Sequence, residues 1–459
     1  MGINLIIALS LIIYIPFLIG SIFKSNDLKF SLKWFRGILL LGYFLQLIYT
    51  LQFSRDISYF TIFVFCLVVI SIIFIRKNSK EKINHINKAD ILFLVILTLF
   101  IANSILSILS NPVFSWDAVA IWFNKTRAIN AFQPISQLPI VNYPNFGPFL
   151  WNFVFNLTDN QEAYGRILFP IFYFLFYLGI YEFYKKKINR YYLIIILTFL
   201  MSLFYNEFAI NGYQDVLLFS ISGYSLLLFL KLYNCIFLYK NYKNPEFLSI
   251  FLTYLLCISS MGIIKNEGIV FGLIFYLFSI PLVYSLAKYN KIFLIYSIVP
   301  IFSILLFWPI VLKINSINPT KIQGDAFVLD SIFYILDSFY RIPIIFNFLV
   351  NIKQESHIFF LITFIISSIS IQKKPSELTK YFLFWGIYLF HYFFIFIAFY
   401  FTRADLDWHL STAMDRLIYQ QDSLLVVILI QSLSVIIPRI KFNNQQILNL
   451  NTKDKSISQ

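Results

Sequence analysis

Five charged side chains, in four separate segments of the chain, could together transfer a proton and bind an anion. Asp117 lies in "FSWDAVAIWFNKTRAIN" and Asp215 lies in "NGYQDVLLF". Lys265 and Glu267 lie in "MGIIKNEGIVF", and Arg416 lies in "TRADLDWHLSTAMDRLIYQ". A carboxylate can take a proton from a hydroxyl group, and a cation can stabilise a departing phosphate. This chemistry requires that the four segments meet on one side of the molecule.

The composition places these charges in a membrane protein. The chain has 459 residues, of which 59% are hydrophobic and 13% charged, and it includes 55 Phe and 30 Tyr. This apolar content exceeds what a water-soluble core can cover. The formal net charge of +14 arises from Lys and Arg in short loops between apolar runs, a pattern typical of cytoplasmic loops and not of nucleic-acid binding. We therefore expect an all-α, multi-pass protein of the inner (plasma) membrane.

Apolar runs predict about thirteen transmembrane helices, some of which need tilt or local thinning of the bilayer. Alternate crossing then places every Lys- and Arg-rich loop on one side, which the positive-inside rule assigns to the cytoplasm. The N-terminus is predicted to lie outside and the C-terminus inside. The predicted spans are residues 3–23, 35–53, 58–75, 91–109, 167–184, 191–205, 214–236, 247–264, 269–287, 292–312, 356–371, 381–401 and 423–438.

The outer side receives most of the Asp and Glu residues, including the four charged segments. Acids that merely solvate outer loops would produce the same distribution, so this interpretation stays open. The predicted outer segments are residues 110–166, 206–213, 265–268, 313–355 and 402–422.

The first outer segment is predicted to contain two interfacial helices. In a helix that starts at Asp117, the apolar residues Val119, Trp122 and Ile129 share one face. Asp117 lies on the opposite face, so this helix should lie in the plane of the membrane interface. The stretch "NYPNFGPFLWNFVFNL", residues 142–157, is short for a span and is interrupted by Pro and Gly. We expect it to form a second interfacial or re-entrant helix.

Four of the five charged residues also have an interpretation that involves no ligand. Asp215 could be a first-turn acid that the helix dipole favours. Lys265 and Glu267 could be opposite charges in a solvated turn. Arg416 has a planar donor fork that suits phosphate, but an Arg at a membrane edge often only anchors its helix.

Five short motifs, taken in order, resemble bacterial multispanning glycosyltransferases of the GT-C fold, the class that uses polyprenyl-phosphate-linked sugars. The motifs are "SWDAVAIWFNKTRAI", "NYPNFGPF", "GYQDV", "KNEG" and "WHLSTAMDRLIYQ". The resemblance covers roughly residues 91–438 and depends on motif order and common sidedness. It implies additional N-terminal transmembrane helices at 1–90 and a GT-C-like membrane catalytic domain at 91–441. The polar residues after Lys441 are predicted to form a short cytoplasmic tail at 442–459.

The resemblance also implies roles for individual residues. Asp117 matches the catalytic base, and Asp215 matches a second catalytic acid that faces it. Many members carry two adjacent acids in the first outer loop, whereas Ala118 follows Asp117 here. No metal site and no certain cofactor are therefore assigned, although a divalent cation stays compatible with the site. The predicted substrate-binding residues are Trp116, Lys125, Tyr143, Lys265, Glu267, His409 and Arg416.

Three of these substrate-binding residues also have a simpler interpretation. Lys125 could attract an anionic donor, but basic residues on an interfacial helix often bind lipid headgroups. Trp116 and Tyr143 could line a sugar site, yet aromatic residues are common at membrane boundaries without any ligand.

The expected activity is transfer of a hexose or pentose from a polyprenyl-phosphate donor to a glycan, lipid or protein acceptor at the extracytoplasmic face. Two other classes stay open. An O-antigen or polysaccharide polymerase or ligase would have its key cations in a large late outer loop. A transporter of lipid-linked glycans would favour charges deep in the bundle and paired broken helices in two similar halves.

Overall fold

The computed structural model consists of α-helices with short π-helical and 3-10 segments. Within the described residues, eleven helices are long and apolar enough to cross a membrane. The protein is therefore a multi-pass membrane protein. The structure describes residues 2–22, 29–51, 87–111, 115–141, 143–238, 245–317, 338–352, 354–401 and 405–437.

The principal helices are numbered here in chain order. The first eight are α1 (Gly2–Gly20), α2 (Phe30–Thr50), α3 (Lys88–Ser110), α4 (118–130), α5 (Phe146–Asn156), α6 (Glu162–Tyr184), α7 (Arg190–Phe204) and α8 (Asp215–Phe237). The others are α9 (Glu246–Ile264), α10 (Asn266–Ala287), α11 (Ile292–Ile314), α12 (Arg341–Asn351), α13 (Gln354–Lys373), α14 (Pro375–Tyr400) and α15 (Leu406–Ile436). All except α4, α5, α7 and α12 are candidates for membrane crossing.

Eleven of the thirteen predicted spans coincide with these candidate helices. The predicted span at 58–75 and the tail at 442–459 lie outside the described residues. The predicted span at 191–205 corresponds to α7, which has only 15 residues. At 1.5 Å per residue α7 reaches about 22 Å, less than the hydrocarbon core of about 30 Å.

The prediction of an outer loop over residues 402–422 is wrong for most of that range. Helix α15 already begins at Leu406, where the Asp405 side chain accepts a hydrogen bond of 2.8 Å from the Trp408 backbone N–H. The helix has 31 residues, about 46 Å, so it is longer than the hydrocarbon core. Arg416 therefore lies on a rigid helix and not on a loop.

The first outer segment also differs from the prediction. Residues 118–123 form a π-helix, whose wider turn changes which side chains share a face. Val119 is consequently 39% exposed, whereas Trp122 and Ile129 are buried. Helix α5 is short, as predicted for an interfacial or re-entrant helix, and most of its side chains are buried in the protein.

Several ion pairs join segments that were all predicted to lie on the cytoplasmic side. Asp90 accepts from Lys185 at 3.3 Å and from Arg190 at 3.2 Å. Lys29 pairs with Glu246 at 3.5 Å. The Asp90 pairs connect the start of α3 with the α6–α7 connection, and the Lys29 pair connects the segment before α2 with the start of α9. The pairing pattern therefore agrees with the predicted grouping of loops.

Helices α1 and α2 pack with their backbones in contact. A Cβ at Gly20 would overlap the carbonyl oxygen of Lys33, and a Cβ at Gly37 would overlap that of Pro16. Since a backbone carbonyl cannot swing away like a side chain, only glycine fits at these two positions.

We expect Gly20→Ala to lower the free energy of unfolding by about 1–3 kcal/mol, because the added methyl group forces α1 and α2 apart. Gly2→Ala is the matched control on α1, since no atom lies within 4 Å of a Cβ there. Thermal unfolding in detergent compares the two variants. Equal stability of the two would contradict the close approach of the helices.

Candidate functional site

The structure brings five of the predicted residues into one continuous set of ion pairs. Arg416 on α15 binds the Asp117 carboxylate, and its Nε lies 3.6 Å from Asp215 Oδ2. Lys265 Nζ lies 3.1 Å from Asp215 Oδ1 and 3.3 Å from Glu267 Oε1. We call Asp117, Asp215, Lys265, Glu267 and Arg416 the charged network.

Helix ends position the central members of the charged network. Asp215 is the first residue of α8, and Lys265 lies in the bend between α9 and α10 with an extended backbone. Glu267 lies in the first turn of α10. A Cβ at Gly268 would overlap the carbonyl oxygen of Met261, so this glycine allows the start of α10 to fold closely against α9.

The charged network has a buried half and a half that reaches solvent. The side chains of Asp215 and Lys265 are 0% and 2% exposed, whereas those of Asp117 and Glu267 are 23% and 22% exposed. Arg416, at 14%, connects the two halves. The interpretation of Lys265 as part of a solvated turn is therefore wrong, because this turn is buried against Asp215. Asp117 remains accessible to a reactant.

Two uncharged residues that the sequence did not single out contact members of the charged network. Gln420 lies one helical turn after Arg416 and donates a hydrogen bond to Asp215 Oδ1. The Tyr213 ring lies 5.0 Å from the guanidinium carbon of Arg416, a distance typical of a cation–π contact. The sequence offered one signal for Gln420. It lies four residues after Arg416, and residues with this spacing share a helix face.

Tyr143 lies within electrostatic reach of the charged network. The negative charge of Glu267, followed by burial, raises the pKa of Tyr143. The phenol therefore keeps its proton and can donate a hydrogen bond. Its ring packs edge-on against Trp122 with a centroid distance of 5.7 Å, which connects it to α4.

Trp116 and His409 lie at the edge of the site. Trp116 directly precedes Asp117 and is 74% exposed. His409 lies two helical turns before Arg416, and its ring packs on Phe399 at 4.9 Å. Burial lowers the pKa of His409, and the nearby charges of Glu267 and Arg416 shift this pKa in opposite directions.

Lys125 lies apart from the charged network. Its side chain is completely buried, and Nζ donates to the Tyr143 carbonyl oxygen at 2.6 Å and to Asn145 Oδ1 at 2.8 Å. Lys125 thus ties α4 to the segment that precedes α5. Burial lowers its pKa well below the ordinary value.

This pKa shift predicts a pH-dependent stability. Between the folded-state pKa of Lys125 and the unfolded value near 10.4, only the unfolded chain binds the proton, so stability rises with pH. We expect the free energy of unfolding of the wild type, relative to Lys125→Met, to rise by about 1.4 kcal/mol per pH unit in that window. Unfolding of both proteins between pH 7 and 10.5 measures this difference, and parallel pH profiles would contradict it.

Within the described residues, no three His, Cys, Asp or Glu side chains are grouped so that they could hold a metal ion. The carboxylates of Asp117 and Asp215 instead face the cationic groups of Arg416 and Lys265.

Comparisons of the chain with models of known protein families, with curated proteins and with solved structures give no match.

Proposed function

We propose that the protein is a membrane glycosyltransferase of the GT-C type. It transfers a sugar from a polyprenyl-phosphate-linked donor to a hydroxyl group of a glycan, lipid or protein acceptor at the extracytoplasmic face of the plasma membrane. One observation supports this proposal above all others. Asp117, an accessible carboxylate, is in direct contact with Arg416, although 299 positions separate them. The guanidinium group of Arg416 is of a kind that suits phosphate.

In the proposed reaction, Asp117 takes the proton of the acceptor hydroxyl while the acceptor oxygen bonds to C1 of the sugar. The bond between C1 and the phosphate oxygen breaks, and its electron pair stays on that oxygen. Polyprenyl phosphate leaves with one more negative charge than it had in the donor. A carboxylate acting as general base and a cation at the leaving group both lower the barrier of such a step.

The ion pair between Asp117 and Arg416 couples these two roles. Three carboxylates and two cations give the charged network a formal charge of −1, which becomes zero once Asp117 is protonated. Protonation also weakens the attraction of Asp117 for Arg416. The guanidinium group therefore pairs more fully with the phosphate as the phosphate acquires its extra charge.

The buried half of the charged network orients Arg416. Asp215 is held by Lys265 and Gln420, and one of its oxygens lies 3.6 Å from Arg416 Nε. A charge that is fixed before the reaction stabilises a transition state without reorganisation. We therefore assign Asp215 and Lys265 a positioning role in the proposed reaction.

The location of the charged network suits a donor dissolved in the membrane. Asp215 is the first residue of α8, whose 23 residues reach about 34 Å and can span the hydrocarbon core. A residue at such a helix end lies close to the level of the lipid phosphates. The donor can therefore keep its polyprenyl chain in the bilayer while its phosphate contacts Arg416.

Lipid extracts from cells with and without the protein test the proposal. We expect a polyprenyl-phosphate sugar to accumulate in the cells that lack the protein and to fall to the original level when the wild-type gene is returned. Identical sets of lipid-linked sugars in both cell types would contradict the proposed function.

A further inference from the structure

The side chain of Gln214 adjoins the charged network, but the proposed transfer step makes no use of it. Gln214 directly precedes Asp215 and is completely buried. Within the described part of the chain, neither its Nε2 nor its Oε1 has a hydrogen-bond partner. A buried amide without partners is costly and calls for a specific explanation, such as a ligand or water that occupies the site.

Gly147 makes room for this amide. A Cβ at position 147 would overlap the Gln214 side chain, so only glycine lets the amide lie against the backbone at the start of α5. Asn145, two residues earlier, is also completely buried and donates no hydrogen bond through Nδ2 to any described residue. Its Oδ1 accepts from Lys125. The short segment from Asn145 to Gly147 therefore carries the neutral amide of Asn145 and covers that of Gln214.

We propose that Gln214 recognises the sugar ring of the donor, with Asn145 as a second contact, and that this ring is uncharged and rich in hydroxyl groups. The inference rests on the proposed glycosyl transfer. A carboxamide offers two donor hydrogens and an acceptor oxygen, which match a sugar hydroxyl that both donates and accepts. The amides of Gln214 and Asn145 carry no charge that could pair with a carboxylate on the sugar.

The position of Gln214 fits a ring attached to a phosphate at Arg416. Asp215 follows Gln214 in the chain, and its Oδ2 lies 3.6 Å from Arg416 Nε. A donor whose phosphate contacts Arg416 therefore brings its first sugar ring close to the start of α8. Charged groups hold the phosphate, and neutral amides hold the ring.

The ring reaches Gln214 only when the segment from Tyr143 to Gly147 moves outward, because Gly147 covers the amide in this structure. The ion pair of Asp117 with Arg416 connects the first outer segment with α15. A donor phosphate competes with Asp117 for Arg416. Binding of the phosphate therefore breaks the ion pair between Asp117 and Arg416. Binding of the phosphate and exposure of the amides are thereby coupled.

Gln214→Met tests the inference, with Gln46→Met as a matched control. Gln46 in α2 is equally buried, and its two amide atoms also lack partners among the described residues, but α2 carries no member of the charged network. Met has a similar shape and removes the unpartnered amide atoms, so we expect both variants to unfold at the wild-type temperature or above it. A residue with a purely structural role would lower that temperature.

Binding of synthetic probes to the purified full-length protein provides the deciding measurement. The probes are farnesyl phosphate and its glucosyl, galactosyl, mannosyl and glucuronosyl esters. We expect at least one hexosyl probe to bind the wild type about ten-fold more tightly than both farnesyl phosphate and the glucuronosyl probe. Gln214→Met should lose this preference, and Gln46→Met should keep it.

The probe experiment is independent of turnover. A wild-type preference for a hexosyl probe that survives in Gln214→Met would overturn the inference, and so would equal binding of all five probes by the wild type. A preference that depends on Gln214, in a protein that transfers no sugar, would uphold the sugar site and refute the proposed glycosyltransferase activity.

Discussion

Asp117→Asn should reduce sugar transfer by about 100-fold or more, because a carboxamide cannot take the proton of the acceptor hydroxyl. The variant should insert into membranes and unfold almost like the wild type. Asp117 is partly exposed, and Arg416 keeps Asp215 as a second anionic neighbour. Transfer is measured in membranes that contain the protein, with a polyprenyl-phosphate sugar as donor.

Asp407→Asn is the matched control for this prediction. Asp407 is an exposed carboxylate in the first turn of α15, on the same predicted side of the membrane, and it is not a member of the charged network. We expect this variant to keep wild-type transfer. Full transfer by Asp117→Asn would rule out Asp117 as the base.

Lys265→Met should lower the free energy of unfolding by about 3 kcal/mol, since it removes the nearest cation from the completely buried Asp215. This loss is at the lower end of what removal of one partner from a buried ion pair costs in unfolding free energy. The reason is that Arg416 still lies 3.6 Å from that carboxylate. Unfolding in detergent measures the change. The double variant Asp215→Asn with Lys265→Met should regain much of the loss, because no buried charge is then left unpaired.

Lys185→Met provides a comparison with the same arrangement of charges. Asp90 binds one Lys and one Arg, as Asp215 does, but the side chains of Lys185 and Asp90 are 28% and 13% exposed. Water and Arg190 compensate for the lost Lys there, so we expect a cost of at most about 1 kcal/mol. Equal losses in Lys265→Met and Lys185→Met would contradict the assignment of a desolvated pair at Asp215.

The membrane-spanning architecture was predictable from the sequence because the bilayer imposes one length and one composition on every span. Eleven predicted spans therefore coincide with helices of the structure. The prediction failed where a helix continues through a polar stretch. Residues 406–422 contain acids and Arg416, but hydropathy does not distinguish a polar helical segment such as the start of α15 from a loop.

The charged members of the site were predictable because isolated charges stand out in an apolar chain. Their pairing was not, since Asp117 and Arg416 lie far apart in sequence and meet only through the packing of the helices. Lys125 was predicted to contact the substrate because of its charge, but the π-helical turn before it and the carbonyl group of Tyr143 place it inside the fold.

Neutral residues of the site carried almost no signal. Gln420 and Tyr213 are polar residues of ordinary types, and only their neighbours in space connect them with the charged network. The proposed role of Gln214 likewise depends on its position beside Gly147 and Asp215. Gly147 was interpreted as an interruption of an apolar stretch, whereas the structure reveals that it makes room for the amide of Gln214.

The most direct measurement follows the bond between the sugar and the phosphate. The purified wild-type protein is reconstituted in liposomes that contain acceptor and a polyprenyl-phosphate sugar labelled separately in its sugar and its lipid. We predict that the sugar label moves to the acceptor while an equal amount of polyprenyl phosphate appears. Recovery of the intact donor, whether or not it has crossed the bilayer, would contradict glycosyl transfer, and crossing would identify a transporter.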